Sequence, residues 1–264
     1  MKVIRFEDES GSVRLGEPIS EHSARLIEGD LFGAYTVTER TARVRKLLAP
    51  LDPVNIIAIG LNYRKHAEES GFAIPEYPVV FAKLTTSVTG PRDPIILPTD
   101  APNQVDWEAE LAVVIGRKAR KVSETEALDY VLGLTVANDV SARDCQIRRD
   151  KQWTRGKSFD TFCPLGPCLL LDPTVDPNAL RLRATLNNEI VQDETTVDMI
   201  FSVPQLISYL SHQFTLLPGT VILTGTPSGV GEAHKPPVYL QPGDTITVEV
   251  EHIGQLINPV RYEE

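Results

Sequence analysis

Apolar and polar positions along the chain fall into short runs separated by turn-forming residues. In the first fifty residues the apolar runs Val3–Phe6, Val13–Leu15 and Leu31–Val37 are divided by Gly11, Gly16, Gly29 and Gly33. This is the pattern of a small β-rich appendage. A basic stretch from Arg40 to Lys46 then leads into Ala-Pro-Leu-Asp-Pro at 49–53, where two prolines break regular structure. A boundary is therefore expected near residue 50, with a small N-terminal unit over 1–50 and a larger unit over 51–264. Beyond it, strands are expected at Asn55–Ile59, Val79–Ala82, Ile95–Leu97, Leu111–Ile115, Leu134–Ala137, Leu180–Leu186, Val221–Leu223 and Ile246–Val250. Several alternate cleanly: Leu180, Leu182, Ala184 and Leu186 oppose Arg181, Arg183 and Thr185. Helical patterns are fewer. Glu124–Tyr130 is one, and Val203, Leu206, Ile207 and Leu210 share a helical face behind a Ser202 cap. The fold class read from this pattern is mainly β with minor helices.

Composition narrows the partners. The chain has 264 residues, with 26 basic against 36 acidic side chains and a formal charge of −10, which argues against a nucleic-acid backbone as partner. It does not argue against an anionic small molecule, because a bound metal ion inverts the local field. No signal-peptide core follows Met1, and no stretch approaches the roughly 20 apolar residues of a membrane span. Three cysteines, Cys145, Cys163 and Cys168, make no disulfide framework in a chain this long. Cys163 and Cys168 flank Pro164 and Pro167, which reads as packing within a turn. The expectation is a soluble protein of a reducing compartment, the cytoplasm.

Three segments carry candidate chemistry. In Asp106-Trp-Glu-Ala-Glu, a strand would project Glu108 and Glu110 on one face. Two adjacent carboxylates entering an apolar run repel each other, and a divalent cation is one natural compensation; a solvated edge strand is the other reading. In Asn-Asp-Val-Ser-Ala-Arg-Asp-Cys-Gln (138–146), Asp139 follows an apolar strand-like run, with Arg143 and Gln146 spaced four and seven residues on, as on one helical face. An acid, a guanidinium and an amide suit a metal ion beside a bound carboxylate, although an Asp cap with incidental neighbours fits too. In Gly60–Gly71, His66 and Glu69 lie three apart in a helical stretch. Glu69 could polarise His66 as a general base on a glycine-hinged lid, or both could decorate a surface helix. His22, His212, His234 and His252 lack comparable partners and read as structural or exposed. Lys157, between Gly156 and Ser158, is placed to approach an oxyanion. Thr224–Gly231 lacks a nucleotide-loop order and reads as a tight turn offering N–H groups and the Thr226 hydroxyl to an anion.

Taken in order, these motifs resemble the fumarylacetoacetate hydrolase family in its short bacterial-type form. The likeness runs from about Pro53 to Val260. It includes Asn-Tyr-Arg-Lys-His-Ala-Glu-Glu (62–69), Glu-x-Glu (108–110), the 138–146 segment, Gly-Lys-Ser-Phe-Asp-Thr (156–161), Asp-Met-Ile-Phe (198–201), the 224–231 turn and Ile-Gly-Gln-Leu-Ile-Asn-Pro-Val (253–260). The resemblance implies a mixed β-roll catalytic domain, a homodimer, and Mg2+ or Mn2+, with Ca2+ as a further option. It implies Glu108, Glu110 and Asp139 as metal ligands, His66 and Glu69 as a water-activating dyad, and Lys157 on the reacting anion. Arg143, Gln146 and Thr226 would hold substrate.

Three carboxylates make a hard oxygen site suited to such ions. A small anionic 2-oxo acid could chelate the ion, which as a Lewis acid would stabilise the enolate formed when a neighbouring bond breaks. The first expectation is therefore a hydrolase of the C–C bond in a 2,4-dioxo acid such as an acylpyruvate. Oxaloacetate decarboxylation and isomerisation of a 2-hydroxymuconate-like acid are the alternatives. A non-catalytic anion-binding protein would need neither the dyad nor Lys157.

Overall fold

The computed structural model describes residues 1–149 and 151–263. Strands dominate it, as the short apolar runs require. The strand Ala109–Ile115 is buried at every position, so its continuous apolar run covers both faces of a sheet. It pairs antiparallel with Val131–Asn138 on one side and with Thr220–Leu223 on the other. Thr220–Leu223 runs parallel to Asn55–Gly60, which pairs antiparallel with the edge strand Val79–Lys83. These directions bring four chain ends together at one end of the sheet. They are the start of Ala109–Ile115 and the exits of Val131–Asn138, Thr220–Leu223 and Asn55–Gly60.

A second sheet is built from Glu189–Thr195, Arg181–Leu186, Thr245–Val250, Gly254–Tyr262 and Ile95–Leu97. Its alternating strands place Leu182, Ala184, Ile246, Val248 and Val250 in a core shared with Trp107, Leu111 and Val113 of the first sheet region. The four N-terminal strands join the large sheet directly, through Lys2↔Leu170 and Val3↔Leu169. The sheet thus runs across the boundary proposed near residue 50.

Sequence expectations and structure part at several places. Cys163 and Cys168 do not sit in a turn: Cys163–Leu170 is a buried strand between Lys2–Glu7 and Val131–Asn138. Its prolines fit because the ladder shifts register beyond Gly166 and because Pro164 faces the short parallel strand Val88–Thr89, the bulge and edge positions where a missing N–H costs least. In the 31–37 run, only Tyr35 onward is strand, and residues 31–33 form a turn. Glu124–Tyr130 winds as a 3-10 helix. The Val203–Gln213 helix starts as expected, with Ser202 and Gln205 forming a reciprocal capping box.

Gly60 shows how tightly the sheet end is packed. A Cβ built there would lie 2.2 Å from the Trp153 ring, and Trp153 packs edge-on against Phe81 at 5.4 Å. Gly60→Ala should therefore displace Trp153 and cost about 1–3 kcal/mol, the usual scale of overpacking. Urea denaturation that shows no loss of stability would contradict this packing.

Candidate active site

The four chain ends carry the chemistry. Glu108 and Glu110 enter at the start of Ala109–Ile115, and Asp139 follows the end of Val131–Asn138. All three are buried, and one ligand oxygen from each lies within 4.8 Å of the others. Arg143 and Gln146 do not share a helical face with Asp139. The backbone from Asp139 is extended through the Ser141–Ala142 strand, and Asp144–Arg149 is a π-helix. The side chains converge nonetheless, with Arg143 Nη1 donating to Gln146 Oε1 at 2.9 Å.

The cluster is a chain of alternating charge. Lys83 Nζ donates to Asp139 Oδ1 at 2.5 Å. Lys157 Nζ bridges Asp139 Oδ2 at 2.6 Å and Glu108 Oε2 at 2.7 Å. Arg143 Nη1 lies 2.7 Å from Glu108 Oε1, and its Nε donates to Asp106 Oδ2 at 2.8 Å. Asp106 also accepts the N–H groups of Trp107, Gly231 and Glu232. Burial acts to raise the Glu108 carboxyl, but the Lys157 and Arg143 charges outweigh it and hold it below the ordinary carboxylate range. Burial acts to lower the Lys157 ammonium, yet Asp139 and Glu108 keep it above its ordinary value. Glu110 stands beside this chain as the surplus acid. Burial and the Asp139 and Glu108 charges push its carboxyl well up, against the pull of Lys157 and the Gly225 N–H.

The donor set fits a hard divalent cation: it is all carboxylate oxygen, converging, and carries more acid than its cations neutralise. The cysteines do not compete for such a role. Cys163 and Cys168 are buried, free, and pushed up to about 12 and about 11 by burial.

His66 and Glu69 lie on the short helix Arg64–Ser70. Their side chains are 13% and 23% exposed, and His66 Nδ1 is 2.7 Å from Glu69 Oε1. The carboxylate of Glu69 also accepts the Gly229 N–H at 3.0 Å, tying the helix to the turn after Thr220–Leu223. In that turn the Thr226 hydroxyl donates to the Ala109 carbonyl and accepts from Gln192 Nε2, each at 2.9 Å. The remaining histidines have other surroundings. His212 Nδ1 meets the Ser208 carbonyl, His234 packs edge-on against Trp107, and His252 is exposed.

Sequence reasoning missed Lys83, Asp106, Asn62 and Asp198. Asp106 and Asn62 stood inside recognised motifs, and Asp198 inside another, but no spacing rule marks their contacts. The Asn62 amide donates to the carbonyls of Phe201 and Thr224 and accepts the Phe201 N–H. Asp198 Oδ2 accepts the Lys65 N–H at 3.0 Å, capping from a distance a helix whose own first residues supply no side-chain cap. Lys65 also pairs with Glu194.

Comparison with known proteins identifies the family. The family described as fumarylacetoacetate (FAA) hydrolase C-terminal matches residues 55–261. The chain belongs to the fumarylacetoacetate hydrolase family. It is 48% identical to the oxaloacetate tautomerase Fahd2a, mitochondrial, of Rattus norvegicus over 215 residues, covering 81% of this chain and 68% of that protein. The solved 2-hydroxyhepta-2,4-diene-1,7-dioate isomerase from Mycobacterium marinum superposes with a TM-score of 0.87 at 39% identity, over 100% of this chain and 99% of that one. The fumarylacetoacetate hydrolase of psychrophilic Exiguobacterium antarcticum gives 0.89 at 37% identity, over the whole of both chains. The mixed sheets and few helices of this family enzyme match those neighbours.

If Asp198 caps the His66 helix, Asp198→Ala should cost about 0.5–2 kcal/mol of local stability, seen as faster amide exchange over residues 64–70. Asp198→Asn, which can still accept the N–H, should restore most of it. Equal exchange in wild type and Asp198→Ala would show that the cap holds nothing.

Proposed function

We propose that this enzyme moves a proton on a small 2-oxo acid, interconverting keto and enol forms of oxaloacetate or a close analogue. The observation that carries the reading is the buried charge chain together with the His66–Glu69 pair, which is tied through the Gly229 N–H to the turn whose Gly231 N–H binds Asp106. The similarity to oxaloacetate tautomerases, and to an isomerase of a related unsaturated acid, supports it.

Charge count fits an anionic substrate. Lys83, Lys157 and Arg143 face Asp106, Glu108, Glu110 and Asp139, which leaves one net negative charge. Glu108, Glu110 and Asp139 would hold Mg2+ or Mn2+, turning that balance positive. When bound, the ion would supply Lewis-acid polarisation of the 2-oxo group. Arg143 and Gln146 would orient the substrate carboxylate, and Lys157 would lie against the oxygen that gains negative charge. With Nδ1–H donated to Glu69, His66 keeps Nε2 to take the proton from the carbon beside the keto group. The enol oxygen is then protonated, and reversal returns the keto acid. The C–H electron pair becomes the C=C π bond as the C=O π pair passes to oxygen; no σ bond other than C–H and O–H changes, so no water is consumed.

The same base could act on water and cleave a 2,4-dioxo acid, the hydrolase expected first. The dyad geometry and the likeness to the Exiguobacterium hydrolase favour keeping this second reading. Oxaloacetate decarboxylation needs the cation but not the base. A homodimer also belongs to the proposal, as does a cytoplasmic or other reducing setting. Phe72, Ile74, Tyr77 and Leu84, which follow the His66 helix, expose 52–66% of their surface and offer apolar area for a second copy. No helix among the described residues is long and apolar enough to cross a membrane.

Two assays on one preparation test the reading: decay of enol oxaloacetate absorbance, and pyruvate release from acylpyruvates and oxaloacetate. Accelerated enol decay without pyruvate release is expected, abolished by chelation. His66→Ala should slow it roughly 10²–10⁴-fold, the usual general-base contribution. Arg143→Lys should lose the Nε and Nη2 contacts to Asp106 that fix the guanidinium, about 1.5–3 kcal/mol, and loosen substrate binding as a higher KM. Pyruvate release from an acylpyruvate with no effect on enol decay would replace the tautomerase reading with the hydrolase one.

A further inference from the structure

The glycine-rich turn 224–232 offers its N–H groups to anions, as its sequence suggests, but the anions it meets are the protein's own carboxylates. The Gly225 N–H donates to Glu110 Oε2 at 2.8 Å. The Gly229 N–H is shared by both oxygens of Glu69, at 3.0 and 3.1 Å. The Gly231 and Glu232 N–H groups donate to Asp106 at 2.7 and 2.9 Å. One short segment therefore touches an acid of the proposed metal centre, the acid of the dyad, and the acid that seats Arg143.

Its path is closely determined. Gly229 has a φ of 97°, a backbone shape that glycine takes far more easily than other residues. A Cβ built on Gly229 would lie 2.0 Å from the Val191 carbonyl oxygen, and one on Gly231 2.0 Å from that of Val238. Gly229 is gripped from both sides. Glu69 accepts its N–H, and its carbonyl accepts the indole N–H of Trp107 at 3.2 Å. Trp107 is itself fully buried in the core shared by the two sheets, next to Asp106 in the chain.

We infer that Trp107 is a positioning residue for the His66–Glu69 pair, acting through Gly229. By fixing the Gly229 carbonyl, the indole N–H holds the N–H of the same residue against Glu69. Glu69 in turn orients the imidazole, its Oε1 lying 2.7 Å from His66 Nδ1. Asp106 holds the same turn and also Arg143. The two consecutive residues Asp106 and Trp107 therefore set the base and the substrate anchor in one register. This rests on the proton-transfer reading above and deepens it, adding a residue that takes no part in the chemistry itself. A glycine has no side chain to steady it, so the indole N–H is the contact whose removal frees the Gly229 carbonyl.

Amide hydrogen exchange of the full chain, followed by NMR, tests this alongside enol-decay kinetics on the same preparations. In wild type the Gly229 N–H should be protected, and Glu69→Ala should abolish that protection. Trp107→Phe keeps an aromatic ring but loses the N–H. It should speed Gly229 exchange by about three- to tenfold, the scale of one hydrogen bond. Exchange is read while the buried strand Ala109–Ile115 stays protected, which separates local opening from global unfolding. The same variant should lower kcat about three- to tenfold with KM nearly unchanged. Added to Glu69→Ala, it should cost no further kcat, because its effect passes through Glu69. An unprotected Gly229 N–H in wild type overturns the inference, whether or not the variants fold. So does a folded Trp107→Phe with wild-type Gly229 exchange, or one whose kcat loss persists in full beside Glu69→Ala. A wild type that does not accelerate enol decay defeats the proton-transfer reading, and the exchange rates then decide whether Trp107 positions Glu69.

Discussion

Everything at the catalytic end depends on a buried run of alternating charges: Lys83, Asp139, Lys157, Glu108, Arg143 and Asp106. Moving such groups out of water is costly, and each is tolerable only because its neighbour carries the opposite charge and a directed hydrogen bond. Removing one member strands the next, at about 3–5 kcal/mol for a buried pair. The interaction therefore constrains the fold around it. Strand ends separated by dozens of residues must arrive in register, which the two-sided burial of Ala109–Ile115 and its neighbours secures. Glu110 breaks the alternation, with the Gly225 N–H as its one direct partner among the described residues and two like charges nearby. An unbalanced carboxylate in so closely balanced a setting would be matched by a further positive charge, as the proposed metal ion would supply.

The dyad is held by different means. Of the helix that carries His66 and Glu69, Ala67 alone is buried. It is fastened by polar links instead: Asn62 to the Phe201 and Thr224 segments, Asp198 to the Lys65 N–H, and Glu69 to Gly229. A rigid charged centre beside a helix kept in place by a few hydrogen bonds would suit the entry and release of the proposed substrate. Gly60 and Gly71 serve local geometry there. Gly60 makes room for Trp153, and Gly71 closes the helix with a left-handed φ of 68°.

Much of this was legible in the sequence because it rests on local periodicity. Alternation placed most of the strands, and a period of two put Glu108 and Glu110 together. Ser202 announced its helix because capping is a contact between near neighbours. Cys163–Leu170 was misread because its prolines signal a turn, and only the shifted ladder and the short parallel partner make them acceptable in a strand. Asp139, Arg143 and Gln146 converge by another route than the one expected: the Ser141–Ala142 strand and a π-helix bring them together, not one helical face. Lys83 was invisible, since a buried lysine is specified by an acid 56 residues away. The reaction itself is the least legible feature, because the proposed proton transfer and the alternative hydrolysis would call on the same residues.

The central claim is that the charge chain and its surplus carboxylate form a metal centre. The most direct measurement is anomalous X-ray scattering from crystals grown with MnCl2, recorded at the manganese edge. The account predicts one buried manganese ion ligated by Glu108, Glu110 and Asp139, with Lys83 still on the outer oxygen of Asp139. Manganese confined to surface carboxylates, or none beside these three residues, would contradict it.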